Sequence, residues 1–465
     1  MDIENTRIFK YTFMIIPFKF TGNIYEGVTN SNFFKPCDHK TIKYDRLYKH
    51  IADSISSDNA KRTIFDYWFN REEHLTECFR QTLVFKVMTE NKKMYKAEGY
   101  LKDLFLYCFK NGIGFFVLNF VFDENVDFNT MCEILNKLKK VNRVLNNSKF
   151  EISLDNKEFD IYSMLCQILD KVDPDADLFF QHSSKEYMSA TMFNSFTYFQ
   201  PEEGAAQQKS EKEMLHQLEC LKRSQGSSFG AFEDDNKNYI RPFKNMVWGF
   251  STQGIGNINY NDPTVDNMNF LQSFYKNVKR EYLLMALIIL NQEFVLLDYC
   301  QKFTSSVDKK PSPEELNRLY DFKLHGTFTT VSHLEHYRTF YSHYSEELGI
   351  QEILEEVNTK QNAIYLSHKN KITEEKTRRD KNINRFTKVL SVILSIFGIT
   401  GLINNVASLL ARDNAWVISS IVVAVVIVAI ALVMVASTLL EKYYKWKSDS
   451  ELDELDEKMG KKNEK

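Results

Sequence analysis

The chain is poor in the residues that interrupt helices. Its 465 residues include 8 prolines and 16 glycines, none of the prolines lies beyond Pro313, and no glycine occurs between Gly349 and Gly398. Proline removes a backbone donor and clashes with the preceding turn, and glycine weakens a helix through backbone entropy. Their joint absence leaves nothing to stop a helix that starts near Ile350. Cysteine is sparse too: the 7 (Cys37, Cys78, Cys108, Cys132, Cys166, Cys220, Cys300) are scattered, odd in number and form no CxxC pair. That argues against a disulfide framework or a zinc ribbon and fits a reducing cytosol. A balance of 59 basic and 62 acidic residues leaves a formal net charge of -3, so bulk attraction gives no reason to expect direct nucleic-acid binding. No Walker loop, nucleophile elbow or H-E-x-x-H motif appears, and an enzyme is not expected. The opening MDIENTRIFKY lacks the basic-then-apolar layout of a signal peptide, so export of the bulk of the chain is not expected.

Charge itself is missing from two stretches, 389–411 and 415–440, separated by Arg412 and Asp413. At about 1.5 Å per residue, each is long enough as a helix to cross a hydrocarbon core of about 30 Å. The second, AWVISSIVVAVVIVAIALVMVASTLL, is apolar nearly all the way round, as a lipid-facing helix should be. A membrane hairpin is the expectation; a buried soluble helix pair is the alternative. Lys369, Lys371, Lys376, Arg378, Arg379, Lys381, Arg385 and Lys388 precede the first run, and Lys442, Lys445 and Lys447 follow the second. The connecting loop offers only Arg412. Positive charge stays inside, which puts both termini in the cytoplasm and a short loop across an inner membrane. Tyr443, Tyr444 and Trp446 suit the inner interface.

The segment 1–265 reads as a mixed α/β cytosolic sensor domain. Stretches 8–20, 82–88 and 114–122 are rich in β-branched and aromatic residues and read as strands, whereas 131–145 and 162–172 carry helical periodicity. The polar stretch 202–238 reads as mobile loops around one short helix at 211–222. A strand at 246–250 runs into Ser251-Thr252-Gln253-Gly254, a glycine-containing turn. Such a loop is a weak candidate ligand cradle, because phosphate loops need a helix directly behind them and NINYNDP follows instead. A hairpin turn is the competing reading. A helical hairpin is expected over 266–348, its first arm a long amphipathic helix at 267–302. The second arm is capped at Ser312-Pro313-Glu314-Glu315 and broken near Gly326. From Ile350 an uninterrupted helix can run roughly 70 Å into the membrane. Its 349–388 part would form a stalk that needs partner helices from other copies. Residues 441–465 form a basic, then acidic, cytosolic tail.

At about 100° per residue, Asp380, Asn384, Thr387, Ser391, Ser395, Gly398, Leu402 and Asn405 fall in one narrow sector of that helix. Thr400 and Asn404 fall outside it. Polar groups are costly in hydrocarbon, so the stripe should face protein or water. Two readings fit it: a pore lining, with Leu402 as an apolar constriction, and helix–helix packing through small residues.

A large soluble domain, a long stalk and a two-helix hairpin with both ends inside resemble the CorA family of divalent-cation channels. The segment NRFTKVLSVILSIFGITGLIN is similar to the end of that family's stalk and its first membrane helix. The family's Gly-Met-Asn pore mouth has a partial counterpart in Gly401-Leu402-Ile403-Asn404, where leucine replaces methionine and Ile403 intervenes. The basic 442–447 segment resembles the family's basic collar. The resemblance covers roughly the last quarter of the chain and implies a homo-oligomer, a pentamer in that family. It also implies a divalent cation as the permeant ion, and no cofactor. A narrower resemblance is to the divergent CorA-like membrane effectors of type III CRISPR systems, which implies a nucleotide second messenger as activator. The competing class is a membrane-anchored signalling or interaction protein whose hairpin does not conduct.

Three smaller constellations admit a functional and a structural reading. His333-Leu334-Glu335-His336 with His343 can gather on a helix face as a zinc pair, or be surface histidines among aromatics. Asp170, Asp173, Asp175 and Asp177 can hold a cation or be solvated turn residues. Cys37-Asp38-His39 is a loop tripeptide too short to make a site.

Overall fold

The structure is a computed structural model that describes residues 10–20, 24–39, 43–56, 62–70, 81–89, 92–139, 150–155, 157–178, 194–200, 211–219, 239–260, 273–305 and 312–409. Val423, Ile427, Thr438 and Lys442 are described singly. The chain divides into two compact units, Met1–Ser306 with Pro311–Val357, and Val307–Lys310 with Asn358–Lys465.

The first unit runs β1 (Lys10–Lys19), α1 (Ile24–Ser31), β2 (Phe34–Pro36), α2 (Lys49–Ser56), β3 (Ile64–Phe69), β4 (Leu83–Met88), β5 (Met94–Phe109), β6 (Ile113–Phe122) and α3 (Phe128–Leu138). It continues through β7 (Phe150–Leu154), β8 (Lys157–Glu158), α4 (Ile161–Val172), β9 (Asp177–Leu178), β10 (Asn194–Phe199) and α5 (Glu211–Glu219). Next come β11 (Tyr239–Phe243), β12 (Met246–Ser251) and β13 (Gly254–Asn259), then α6 (Leu283–Ser305), α7 (Pro313–His325) and α8 (Glu335–Glu347). The described strands form one sheet in the order β11-β12-β13-β10-β1-β6-β5-β4-β7-β8, with β3 also on β5 and β9 also on β1. Of these pairings, β10 with β13 is parallel.

The sheet is covered on both faces, which explains its sequence pattern. Met14, Ile16 and Phe18 of β1 join Ile24 and Val28 of α1, Met131 and Ile134 of α3, and Leu165 of α4 in one buried cluster. On the opposite face Tyr11 stacks on Tyr198 at 4.8 Å and meets Tyr275 edge-on at 4.9 Å. A strand buried on both sides has no reason to alternate, and every residue of β6 is buried. The first half of β5, by contrast, alternates exposed and buried.

Helices α6 and α8 line that second face: Phe294 packs on Phe115 of β6, and Phe340 meets Trp248 of β12 at 5.1 Å. The helices expected as a separate hairpin are therefore part of the same unit as the sheet. The expected amphipathic character of the long helix is corrected. Leu283 through Leu290 are all buried, because sheet and helices enclose that stretch on every side, whereas Gln301 and Thr304 near the end of the helix are exposed. Among the described residues, Ser273–Thr304 is one helix long and apolar enough to cross a membrane by length and composition, and 83% of its apolar window is buried inside the chain. A π-helical turn, Val278–Tyr282, interrupts it.

The Ser312 side chain accepts from the Glu315 backbone N–H while the Glu315 carboxylate accepts from the Ser312 N–H, so α7 starts on the capping box that the sequence predicts. It stops at Gly326, and α8 follows. α8 ends at Gly349, whose φ of 61° places it in the left-handed region.

The described part of the second unit lies almost entirely in α9 (Ile350–Leu409), unbroken over 60 residues. Along its later turns Val389, Val392, Ile393 and Phe397 are exposed, Phe397 at 71%. The 415–440 run lies outside the described residues apart from the three single positions, of which Val423 and Ile427 are exposed.

Candidate functional site

The polar stripe of α9 keeps the order that its sequence implies, since the helix is continuous through Leu409. Asp380, Asn384, Ser391 and Ser395 are exposed, Thr387 and Gly398 are half-buried, and a Cβ added at Gly401 would meet nothing within 4 Å. Asn404 is exposed and Asn405 half-buried; the Leu402 side chain lies outside the description. The hydroxyls turn back on their own helix. Thr387 Oγ1 donates to the Ile383 carbonyl at 2.9 Å, Ser391 Oγ to Lys388 at 2.9 Å, and Ser395 Oγ to Ser391 at 2.7 Å. With its proton used internally, each hydroxyl presents only lone pairs outward.

A second candidate lies in the first unit and was not foreseen. A cleft of about 420 Å³ opens where β11, the turn before α2, the start of the long helix and the first turn of α8 converge. Its walls are the rings of Phe243, Phe274, Tyr282 and Tyr337. Tyr282 and Tyr337 sit 4.7 Å apart, Phe274 and Tyr282 5.9 Å apart, and the His336 ring lies 5.6 Å from Phe243. Trp248 stacks under Tyr282 at 5.1 Å, and its buried indole Nε1 has no hydrogen-bond partner.

Polar groups enter this aromatic lining at chosen points. Arg46 Nη1 donates to the Tyr337 hydroxyl at 3.0 Å, and that bond keeps the guanidinium firmly charged. Burial, with Arg46 as a second cause, lowers the pKa of His336, so its imidazole is neutral near pH 7. Ser273 and Asn277 stand at the rim, and among the described residues the Asn277 amide has no partner. Close to Arg46, Glu281 is enclosed in the π turn. Arg280 Nη2 donates to its Oε1 at 3.0 Å, its Oε2 is buried without a partner, and burial raises its pKa.

The weaker sequence candidates also make structural contacts. Ser251 and Gly254 pair across the β12–β13 hairpin with Thr252 and Gln253 at its tip. Gln253 N–H donates to Ser251 Oγ at 3.1 Å, and Lys139 Nζ donates to Gln253 Oε1 at 3.0 Å. A Cβ on Gly254 would stand 2.5 Å from the Ser195 carbonyl oxygen, so this glycine lets β13 approach β10. The histidines take separate partners: His333 faces Tyr48, His336 lines the cleft, and His343 packs on Phe250. Asp173 Oδ1 accepts from the Asp175 N–H at 3.1 Å as a turn residue. Among the described residues no group of three His, Cys, Asp or Glu is placed to hold a metal. Cys37 and His39 gather around Asp66: His39 Nε2 lies 2.7 Å and Arg62 Nη2 3.1 Å from Asp66 Oδ1. Burial, with Asp66 beside it, pushes the Cys37 thiol far up, which is the opposite of an activated nucleophile.

No family model, curated protein or solved structure matches this chain.

Proposed function

We propose that this chain is one subunit of a ligand-responsive membrane channel of CorA-like architecture. The apolar end of α9 would cross the bilayer beside the 415–440 run, and the first unit would sense the ligand. The observation that carries the proposal is the exposure of Val389, Leu390, Val392, Ile393, Leu394 and Phe397 along consecutive turns of α9. Contiguous exposed apolar surface of that kind marks a membrane or partner contact. The backbone there is helical and satisfies its own polar groups, as hydrocarbon requires. The back-bonded hydroxyls of Thr387, Ser391 and Ser395 offer oxygen lone pairs in one sector, which favours a cation over an anion. A divalent cation is the permeant ion by resemblance.

Two crossings per chain cannot enclose a pore, so several copies must assemble, five if the CorA pattern holds. Flanking basic residues put both termini in the cytoplasm of a multi-pass inner-membrane protein. In the narrower version, the channel is a type III CRISPR effector opened by a nucleotide second messenger. The departure from Gly-Met-Asn at Gly401-Leu402-Ile403-Asn404 favours a second reading, a non-conducting anchor for a signalling unit.

Cation flux into liposomes carrying the full chain, with and without Ser395→Leu and Asn405→Leu, separates the two. The channel reading expects a flux that either leucine cuts severalfold. A flux indifferent to both, or none with any ligand, leaves the anchor.

A further inference from the structure

The last turns of α9 before its exposed apolar stretch carry four cations on one side. Arg378, Lys381, Arg385 and Lys388 follow one another at steps of three, four and three residues, which at about 100° per residue places them in one sector of the helix. All four are exposed, and among the described residues none has a carboxylate within ion-pair distance. Arg379, on another side of the helix, pairs with Glu375 at 3.9 Å. Asp380 belongs to the polar stripe. The cationic side then continues into apolar surface: Val389 and Val392 stand four and seven residues beyond Arg385, and both are exposed. This face runs beside the stripe of Asn384, Thr387 and Ser391 and is distinct from it.

Like charges three and four residues apart weaken a helix, so a partner of opposite sign is favoured, and the position along α9 selects it. At about 1.5 Å per residue, Lys388 and Arg385 stand within about 6 Å of the point where apolar surface begins. A headgroup layer is about 5–7 Å deep on each side of a bilayer. Lys381 and Arg378 lie about 6–10 Å further out, close to one Debye length at physiological salt, and their aliphatic stems let the charges reach toward the boundary. The groups at that depth are phosphodiesters. A guanidinium grips a phosphate with two parallel N–H donors, and an ammonium adds a point charge. In a zwitterionic lipid a cation of the headgroup already balances the phosphate, whereas an anionic lipid has no such internal partner. We infer that the Arg378, Lys381, Arg385 and Lys388 face of α9 binds the headgroups of anionic phospholipids in the leaflet that the helix enters. This rests on the membrane insertion of α9, which the channel and the anchor readings share, and not on conduction.

The test is electron spin resonance of spin-labelled phosphatidylglycerol and phosphatidylcholine in phosphatidylcholine vesicles that hold the full chain, where lipid held at the protein gives a motionally restricted signal. The phosphatidylglycerol probe should be held about threefold or more in preference to phosphatidylcholine, and about 0.5 M salt should remove most of that preference. Arg378→Gln, Lys381→Gln, Arg385→Gln and Lys388→Gln together should remove it as well. Lys369→Gln, Lys371→Gln and Lys376→Gln, further up the same helix, should keep it. Equal retention of the two probes, or a preference indifferent to salt, overturns the inference without any variant. So does a preference that survives the four substitutions and disappears with Lys442→Gln, Lys445→Gln and Lys447→Gln. An alkaline carbonate wash separates this from the reading beneath it. A chain washed off the vesicles loses its membrane assignment and the inference with it, whereas a chain that stays but holds both probes alike loses the inference alone.

Discussion

The Arg46 guanidinium donates to the Tyr337 hydroxyl across 3.0 Å, which ties the turn before α2 to the first turn of α8. Ser332 reinforces the same junction by donating its hydroxyl to the Arg46 carbonyl. Tyr337→Phe removes the acceptor and leaves the ring in its stack with Tyr282. The expected loss is about 1 kcal/mol of stability, measured by urea unfolding. No measurable loss would mean that water replaces the phenol at Arg46.

The hairpin tip at Ser251–Gly254 makes a different demand. With the Ser195 carbonyl 2.5 Å from where a Cβ would lie, Gly254→Ala forces β13 away from β10. A loss of about 1–3 kcal/mol is expected, measured by urea unfolding. An unchanged unfolding midpoint would show that the two strands accommodate the extra methyl without strain.

Much of the fold was legible in the sequence, for reasons that can be named. β1, β6 and β12 announce themselves as short β-branched and aromatic runs. α9 is legible because it contains no proline, and no glycine before Gly398. The Ser312 cap is legible because a capping box is local chemistry. α6 misleads over Leu283 to Leu290 for a physical reason: a stretch enclosed on every side has no polar face for an amphipathic reading to rely on. The cleft was not legible at all. Arg46, Phe243, Asn277 and Tyr337 lie in separate segments, and only sheet order and helix packing bring them together. Of its lining, only the stretch around His336 stands out in the sequence, and then as a zinc pair or as surface histidines among aromatics. The stripe of α9 was legible because helical periodicity alone defines it.

Glu293, in the core helix α6, predicts a pH dependence. Burial raises its carboxyl from the ordinary 4.5 to about 7. The folded state thus favours the protonated form. Its contribution to stability is complete below the unfolded value and is lost as pH rises through about 7. Thermal stability of the wild type should therefore fall as pH rises from 4.5 to about 7 and level off above it, by a component that Glu293→Gln abolishes. Parallel profiles for the two proteins would show that another group sets the pH response.

Gly349 joins α8 to α9 with φ of 61°, and a Cβ there would meet nothing closer than the Glu352 carboxylate at 3.5 Å. Space is not the constraint; backbone handedness is. Gly349→Ala should cost about 1–2 kcal/mol, and Gly349→Asn less, since asparagine tolerates the left-handed region. Equal effects of the two substitutions in equilibrium unfolding would show that the junction adopts another conformation in solution.

The most direct measurement is the water accessibility of α9 in the assembled particle. Single cysteines at Thr387, Ser391 and Ser395, and at Leu390 and Ile393 as controls, are exposed in lipid to a membrane-impermeant thiol reagent, with the native cysteines as background. A wet axis shared by several copies predicts rapid labelling at the first three positions and little at the two controls. Labelling at Leu390 and Ile393 with silence along the stripe would contradict it.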